Sequence, residues 1–226
     1  MTVPASPDYA TMEPMGEHEI RASWTTWDGA RIEQLTVRWE NAGWTLDGRI
    51  TAVAPLVAPP TGGAEAHRDL HYVVRTDAAW QLRQFLLFRD AEDPDLWLAT
   101  AGDGRWGEVN GATRDDLDGC TTIHLDDTTI GHTLAVRARA LGVGASNDSL
   151  VAVVDAETLL VRAARRRTTR VMDRTWRFAD AGHGPTDEVG IDTEAEVELE
   201  VEVEVEVEVD EDGLVLDHAG RFRRVR

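Results

Sequence analysis

The side chains able to do chemistry in this 226-residue chain are few and widely spaced. Cys120 and His124 stand four apart, a spacing that pairs a thiol with its base only on a helix. The intervening Thr121-Thr122-Ile123 favours a strand, where positions i and i+4 share a face but lie about 13 Å apart. A lone cysteine there is a small apolar residue awaiting burial. His67 and His71 repeat the spacing and would need a helix to share a metal. No further Cys or His supports them, so neither a metal site nor a cofactor is expected. A Gly-x-Ser-x-Gly elbow is missing, and a Gly-x-x-x-x-Gly-Lys phosphate loop is impossible because the chain has no lysine. No catalytic residue is assigned. Were the chain an enzyme, His124 or His132 would be its acid or base, because imidazole titrates near neutrality unperturbed.

The elements that must position these groups are strands. Ile32, Gln34, Thr36 and Arg38 alternate with Glu33, Leu35, Val37 and Trp39, the pattern of a half-buried strand. Asn41-Ala42-Gly43 reads as a hairpin turn into Trp44–Ile50, with a further turn at Asp47-Gly48. Pro55 and Pro59-Pro60-Thr61-Gly62-Gly63 mark a loop. Leu70–Asp77 and Trp80–Phe88 read as strands, the second pairing across Asp93-Pro94 with Leu96–Ala99. Gly119–Leu125, Thr133–Arg139, Ser149–Val154 and Thr169–Phe178 complete the pattern. Short strands punctuated by Gly, Asp and Pro predict a mainly β fold with little helix. Its form is a long antiparallel sheet curled into a β-roll or incomplete barrel with a concave apolar face. Residues 1–18 have no period and read as a flexible tail, leaving 19–226 as a single domain.

Within that domain, Glu fills every even position from Glu194 to Glu208 and mostly Val the odd ones to Val209. This low-complexity 194–209 stretch would span about 50 Å if fully extended. It reads as an expansion of an existing strand or loop. An alternative is a scaffold whose Glu/Val strand adds to a partner's sheet edge.

Charge restricts the partners. The chain carries 42 Asp+Glu against 23 cations, all arginine, for a net charge of −19 and a pI near 4.6. A lysine-free, carboxylate-covered surface suits high salt, and the expectation is a halophilic, cytoplasmic protein. Nucleic acid is not an expected partner, because the one basic cluster (Arg162, Arg165, Arg166, Arg167, Arg170) should pair with the chain's own carboxylates. No secretory signal is visible, and no window approaches the ~20 apolar residues of a membrane span. The sequence specifies no oligomeric state.

Several segments, in this order, resemble the putative glycolipid-binding family. They are Trp39 through Gly48, Tyr72–Trp80, Trp106-Gly107, Leu117–Leu125, Thr133–Arg137, Asp210–Asp217 and Arg223-Arg224-Val225. The chain departs from the family's pattern at Thr128–Ala138, where two prolines and an asparagine are missing, and at His218-Ala219, where Tyr-Pro is usual. The resemblance implies a rolled antiparallel sheet, similar to lipoprotein-carrier folds, that holds an apolar or amphiphilic small molecule such as a lipid or glycolipid. The candidate ligand-binding residues are Tyr72, Arg75, Trp80, Arg83, Trp97, His132 and Arg137, with the arginines at the rim to meet a polar head.

Overall fold

The structure, a computed structural model, describes residues 19–53, 69–89, 92–126, 128–180 and 204–225. The segment 1–18, His67 and positions 194–203 of the Glu/Val stretch lie outside the described residues. The first meander comprises β1 (Ile20–Thr26), β2 (Arg31–Glu40), β3 (Gly43–Ala52), β4 (Leu70–Asp77), β5 (Leu82–Phe88), β6 (Leu96–Thr100) and β7 (Trp106–Glu108). After it come β8 (Cys120–Leu125), α1 (Ile130–Arg137) and β9 (Ser146–Val154). The second meander continues through β10 (Val161–Arg170), β11 (Thr175–Asp180), β12 (Glu204–Val209), β13 (Val215–His218) and β14 (Phe222–Arg224).

All fourteen strands belong to one sheet, in the order β7-β6-β5-β4-β3-β2-β1-β14-β13-β12-β11-β10-β9-β8. Strand β14 returns to pair with β1, placing Arg224 opposite Trp24, which joins the two meanders. The sheet curls without closing. Its edge strands β7 and β8 are not paired, but the buried Trp106 indole N–H donates to the Cys120 carbonyl at 2.9 Å. Gly119 N–H likewise donates to Gly104 O at 2.8 Å across the seam.

Strand β8 runs parallel to β9, and a parallel neighbour needs a crossover that no hairpin can supply. That crossover carries α1, so Thr133–Arg137 is helical where alternation predicts a strand. The helix is buried on nearly every side, and an element without a solvent face shows no diagnostic period. Ile130 and Leu134 join a core built from Trp24, Leu35, Leu46, Tyr72, Phe85 and Leu98. Val136 joins a second, with Trp176, Phe178, Val207, Val209 and Val215. The curled sheet therefore has its apolar face, and the chain's own helix occupies it.

Two turn signals resolve differently from expectation. Asn41 and Ala42 both have positive φ (52° and 60°), the backbone of a two-residue hairpin between β2 and β3. Asp47-Gly48 makes no turn, since β3 runs straight through it. Gly48 is opposite Tyr72, and a Cβ at Gly48 would fall inside the Tyr72 ring. The missing side chain lets that ring lie across β3 and donate its hydroxyl to Glu33 on β2 at 2.5 Å. Further on, β12 is paired on both sides, by β11 and β13. The Glu204–Val209 part of the repeat is thus an interior strand, with Val207 and Val209 buried and the glutamates exposed.

Gly48→Ala is expected to lower the unfolding free energy by about 1–3 kcal/mol through overpacking, read as an earlier urea midpoint. Gly142→Ala, where a new Cβ meets nothing within 4 Å, should stay within about 0.5 kcal/mol of the parent. Equal midpoints would mean that the Tyr72 ring does not depend on Gly48.

Candidate functional site

An open cleft of about 660 Å³ lies at the end of the first meander. Its floor follows from register. Thr45 pairs with Arg75, Arg75 with Gln84, Gln84 with Ala99, and Ala99 with Gly107. These five form one row across β3–β7 on the sheet's outer face, opposite the core row Leu46, Val74, Phe85 and Leu98. The row is deep where its side chains are small, at Ala99 and Gly107. Glu40 at the end of β2 and Asn41 from the β2–β3 turn, with Asp103 and Arg105 from the β6–β7 turn, complete the rim, and Trp44 and Trp106 add apolar surface.

One wall is fixed by Asp77. Its Oδ1 accepts the Ala79 and Gln81 backbone N–H groups, both at 2.9 Å, and its Oδ2 accepts Arg83 Nη2 at 2.7 Å. Arg83 also donates to the Ala101 carbonyl, tying β5 to the β6–β7 turn. This turn holds Trp80 at φ 60°, a left-handed backbone that a tryptophan adopts only at a cost of about 1–2 kcal/mol. Burying its indole, 2% exposed, offsets that with about 4–6 kcal/mol.

The next row along the same outer face is apolar. Val73 pairs with Leu86 and Leu86 with Trp97, all half-buried. Beyond it, Phe88 stacks on His71 with ring centroids 5.0 Å apart. The outer face of β4–β6 is therefore amphipathic across its strands, polar at the cleft and apolar beside it.

The residues singled out from the sequence divide between two places. Arg75 and Arg83 line the cleft, and Trp97 lies in the apolar row next to it. Tyr72, Trp80, His132 and Arg137 are in the interior. Arg137 ends α1 with its guanidinium 4.1 Å over the Trp80 ring and 5.7 Å from Trp44, and it donates to the Asp212 carbonyl at 2.8 Å. Trp80 in turn stacks on Trp44, with centroids 4.9 Å apart. The cleft residues that sequence reasoning missed are Gln84, Ala99, Asp103 and Arg105. Pairing register identifies Gln84 and Ala99, and the path of the β6–β7 turn brings in Asp103 and Arg105; nothing in their types distinguishes them.

His132 sits between His124 and His218, with centroids 5.5 Å and 5.3 Å away, and against Phe178 at 4.5 Å. His132 and His218, which stand in the two segments that depart from the family pattern, pack on each other. Gly131 admits His124, since a Cβ there would collide with the His124 ring. Burial pushes the His124 and His132 pKa values well below the usual 6.5 and lowers that of His218. Arg166 and Arg221 add to the effect on the first two. Neither His124 nor His132 borders the cleft. Cys120 is buried and its thiol is pushed up to about 11, chiefly by burial, so it is no thiolate near neutrality. Among the described residues, no group of three His, Cys, Asp or Glu is placed to hold a metal. No helix among them is long and apolar enough to cross a membrane.

Fold and cleft together define a curled β-sheet protein with its interior filled and a polar recess on its outer face. The chain belongs to the putative glycolipid-binding family, whose model matches residues 21–224. In structure it is similar to a DUF1089 family protein from Pseudomonas aeruginosa, with a TM-score of 0.64 over 95% of this chain and 98% of that one. Sequence identity between them is 22%, so the likeness speaks for the fold. No curated protein matches the chain in sequence.

The buried imidazoles make stability depend on pH. Below about 6.5 the unfolded chain takes up protons that the native histidines refuse, so stability falls as pH falls from there. Glu33 and Asp210, whose pKa values burial raises from 4.5 and 3.8, work in the opposite sense, but they are two groups against three. Each histidine adds at most about 1.4 kcal/mol per pH unit. Thermal melts between pH 7.5 and 5 should show Tm falling below 6.5, with a shallower fall in His132→Phe. A flat profile would mean that the trio is protonated in the native protein.

Proposed function

We propose that this protein binds a glycolipid-like amphiphile on the outer face of β4–β6 without catalysing a reaction on it. The head lies in the cleft among Arg75, Arg83, Gln84, Glu40 and Asp103, and the tail lies along Val73, Leu86, Trp97 and Phe88. The observation that carries this reading is the adjacency of a polar recess and an apolar row on one face, set by strand register. A cleft of 660 Å³ is of the size that holds a small-molecule head group. Mixed carboxylate, amide and guanidinium groups suit a polyol, which both donates and accepts hydrogen bonds. The family description supports a glycolipid as the class of ligand. The tail is placed outside because the apolar concavity that would otherwise take it is filled by α1.

Native mass spectrometry with solvent extraction, on protein purified in high salt, should reveal a bound amphiphile in stoichiometric amount. Ala99→Phe fills the recess from its floor without touching the core face. It should reduce glycolipid retention at least tenfold while Tm moves by only a few degrees. Retention unchanged in Ala99→Phe would place the ligand elsewhere, and a clean apo mass from well-folded protein would count against the reading itself.

A further inference from the structure

We infer that the head group taken by the cleft is an acid: a carboxylate, phosphate or sulfate held between Arg75 and Arg105. The inference rests on the cleft being the ligand site, as proposed above. Its basis is a pair of arginines that line the cleft without a carboxylate partner among the described residues.

In a chain with 42 Asp+Glu, carboxylate partners are abundant. Some arginines on exposed strand faces take them, Arg166 with Asp180 at 2.9 Å, Arg167 with Asp148 at 2.7 Å and Arg177 with Glu206 at 2.5 Å, while Arg49, Arg162 and Arg165 make no ion pair among the described residues. In the cleft, Arg83 takes Asp77 and the Ala101 carbonyl. Arg75 and Arg105 are the two arginines lining the cleft without such a partner. Among the described residues, Arg75 donates only to the neutral amide oxygen of Gln84, at 3.1 Å, and no carboxylate lies within ion-pair distance of either guanidinium. The nearby carboxylates are in part committed elsewhere. Asp77 is occupied by Arg83 and two backbone N–H groups, and Asp103 Oδ1 accepts the Arg105 backbone N–H at 3.0 Å.

Their placement brings the two cations to opposite sides of the same recess. Arg75 is on β4, while Arg105 immediately precedes β7 and lines the same cleft. Three strand spacings separate β4 from β7, about 14 Å, and the intervening floor narrows from Gln84 to Ala99 and Gly107. Both arginines line a recess whose floor residues Ala99 and Gly107 are small, which leaves room for an oxyanion. Guanidinium groups without carboxylate partners offer it charge-assisted N–H donors. Glu40 and Asp103 remain at the rim to accept hydroxyls of the same head group. Elsewhere the net charge of −19 repels anions, which would confine an acidic ligand to this place.

The test compares octyl β-D-glucuronide with octyl β-D-glucoside, both below their micelle concentrations, by calorimetric titration of the full chain. The two differ only in a carboxylate replacing a hydroxymethyl group. Octyl glucuronide should bind at least tenfold more tightly. In the Arg75→Gln/Arg105→Gln double variant, its affinity should fall to that of the glucoside with Tm unchanged. Equal affinity for the two amphiphiles, or a double variant that keeps the preference, overturns the acid while leaving the glycolipid reading intact. If neither binds, both readings fail. Free glucuronate binding as tightly as octyl glucuronide would uphold the oxyanion site and assign it to a soluble acid, against the glycolipid reading.

Discussion

The Glu33 carboxyl, buried under the sheet and facing the start of α1, is the interaction on which the interior depends. It accepts the Tyr72 hydroxyl at 2.5 Å, the Thr129 backbone N–H at 3.2 Å and the Thr129 hydroxyl at 3.3 Å. Burial raises its pKa, and these hydrogen bonds with the charge of Arg31 oppose the rise. Hydrogen bonds to a charged group are worth about 1.5–3 kcal/mol each, against several kcal/mol to bury the charge. The net stabilisation is small, so the role of Glu33 is positional. An apolar residue in its place would leave the Thr129 N–H and the Tyr72 hydroxyl without this partner. At the other end, Arg137 is held by Asp212 and the Trp44–Trp80 stack, so both ends of the helix are tied to the sheet.

Filling the concavity leaves the outer face for the proposed ligand. A curled sheet with an empty apolar face would hold a ligand inside, as lipoprotein-carrier folds suggest. Here the inner face is used to seat the crossover helix that the parallel β8–β9 pair requires. What is left for recognition is the outer face, where alternation would ordinarily place only solvated side chains. On β4–β6 it instead carries Val73, Leu86, Trp97 and Phe88 beside a recess made by Ala99 and Gly107. The same register that builds the core thereby arranges the face on which we propose the ligand binds.

The charge distribution fits this division. Excess carboxylates are spent on neutralising strand arginines, including members of the basic cluster on β10, and on the exposed side of β12. Strand β12 contributes Val207 and Val209 to the second core and leaves its glutamates outside. An interior strand offers no free edge, so the described part of the repeat stabilises the sheet instead of presenting a surface for strand addition.

The sequence by itself determined the class of fold and the family. Period-two alternation, hairpin turns such as Asn41-Ala42 and the ordered segments from Trp39 to Val225 are local properties, and local steric preferences suffice to read them. Even Glu33 was legible in part, since alternation puts it on the same side as Leu35, Val37 and Trp39. Only the tertiary structure decided that Thr133–Arg137 is a helix, because a fully buried element has no solvent face to impose a period. It alone showed that Gly48 is a gap for Tyr72 and not a turn, as the atoms that need the space lie on the neighbouring strand. And it alone separated Arg75 and Arg83, in the cleft, from His132 and Arg137, in the core. Which side of a sheet a residue faces can be read along one strand; what it meets there depends on register between strands, and no single segment encodes that.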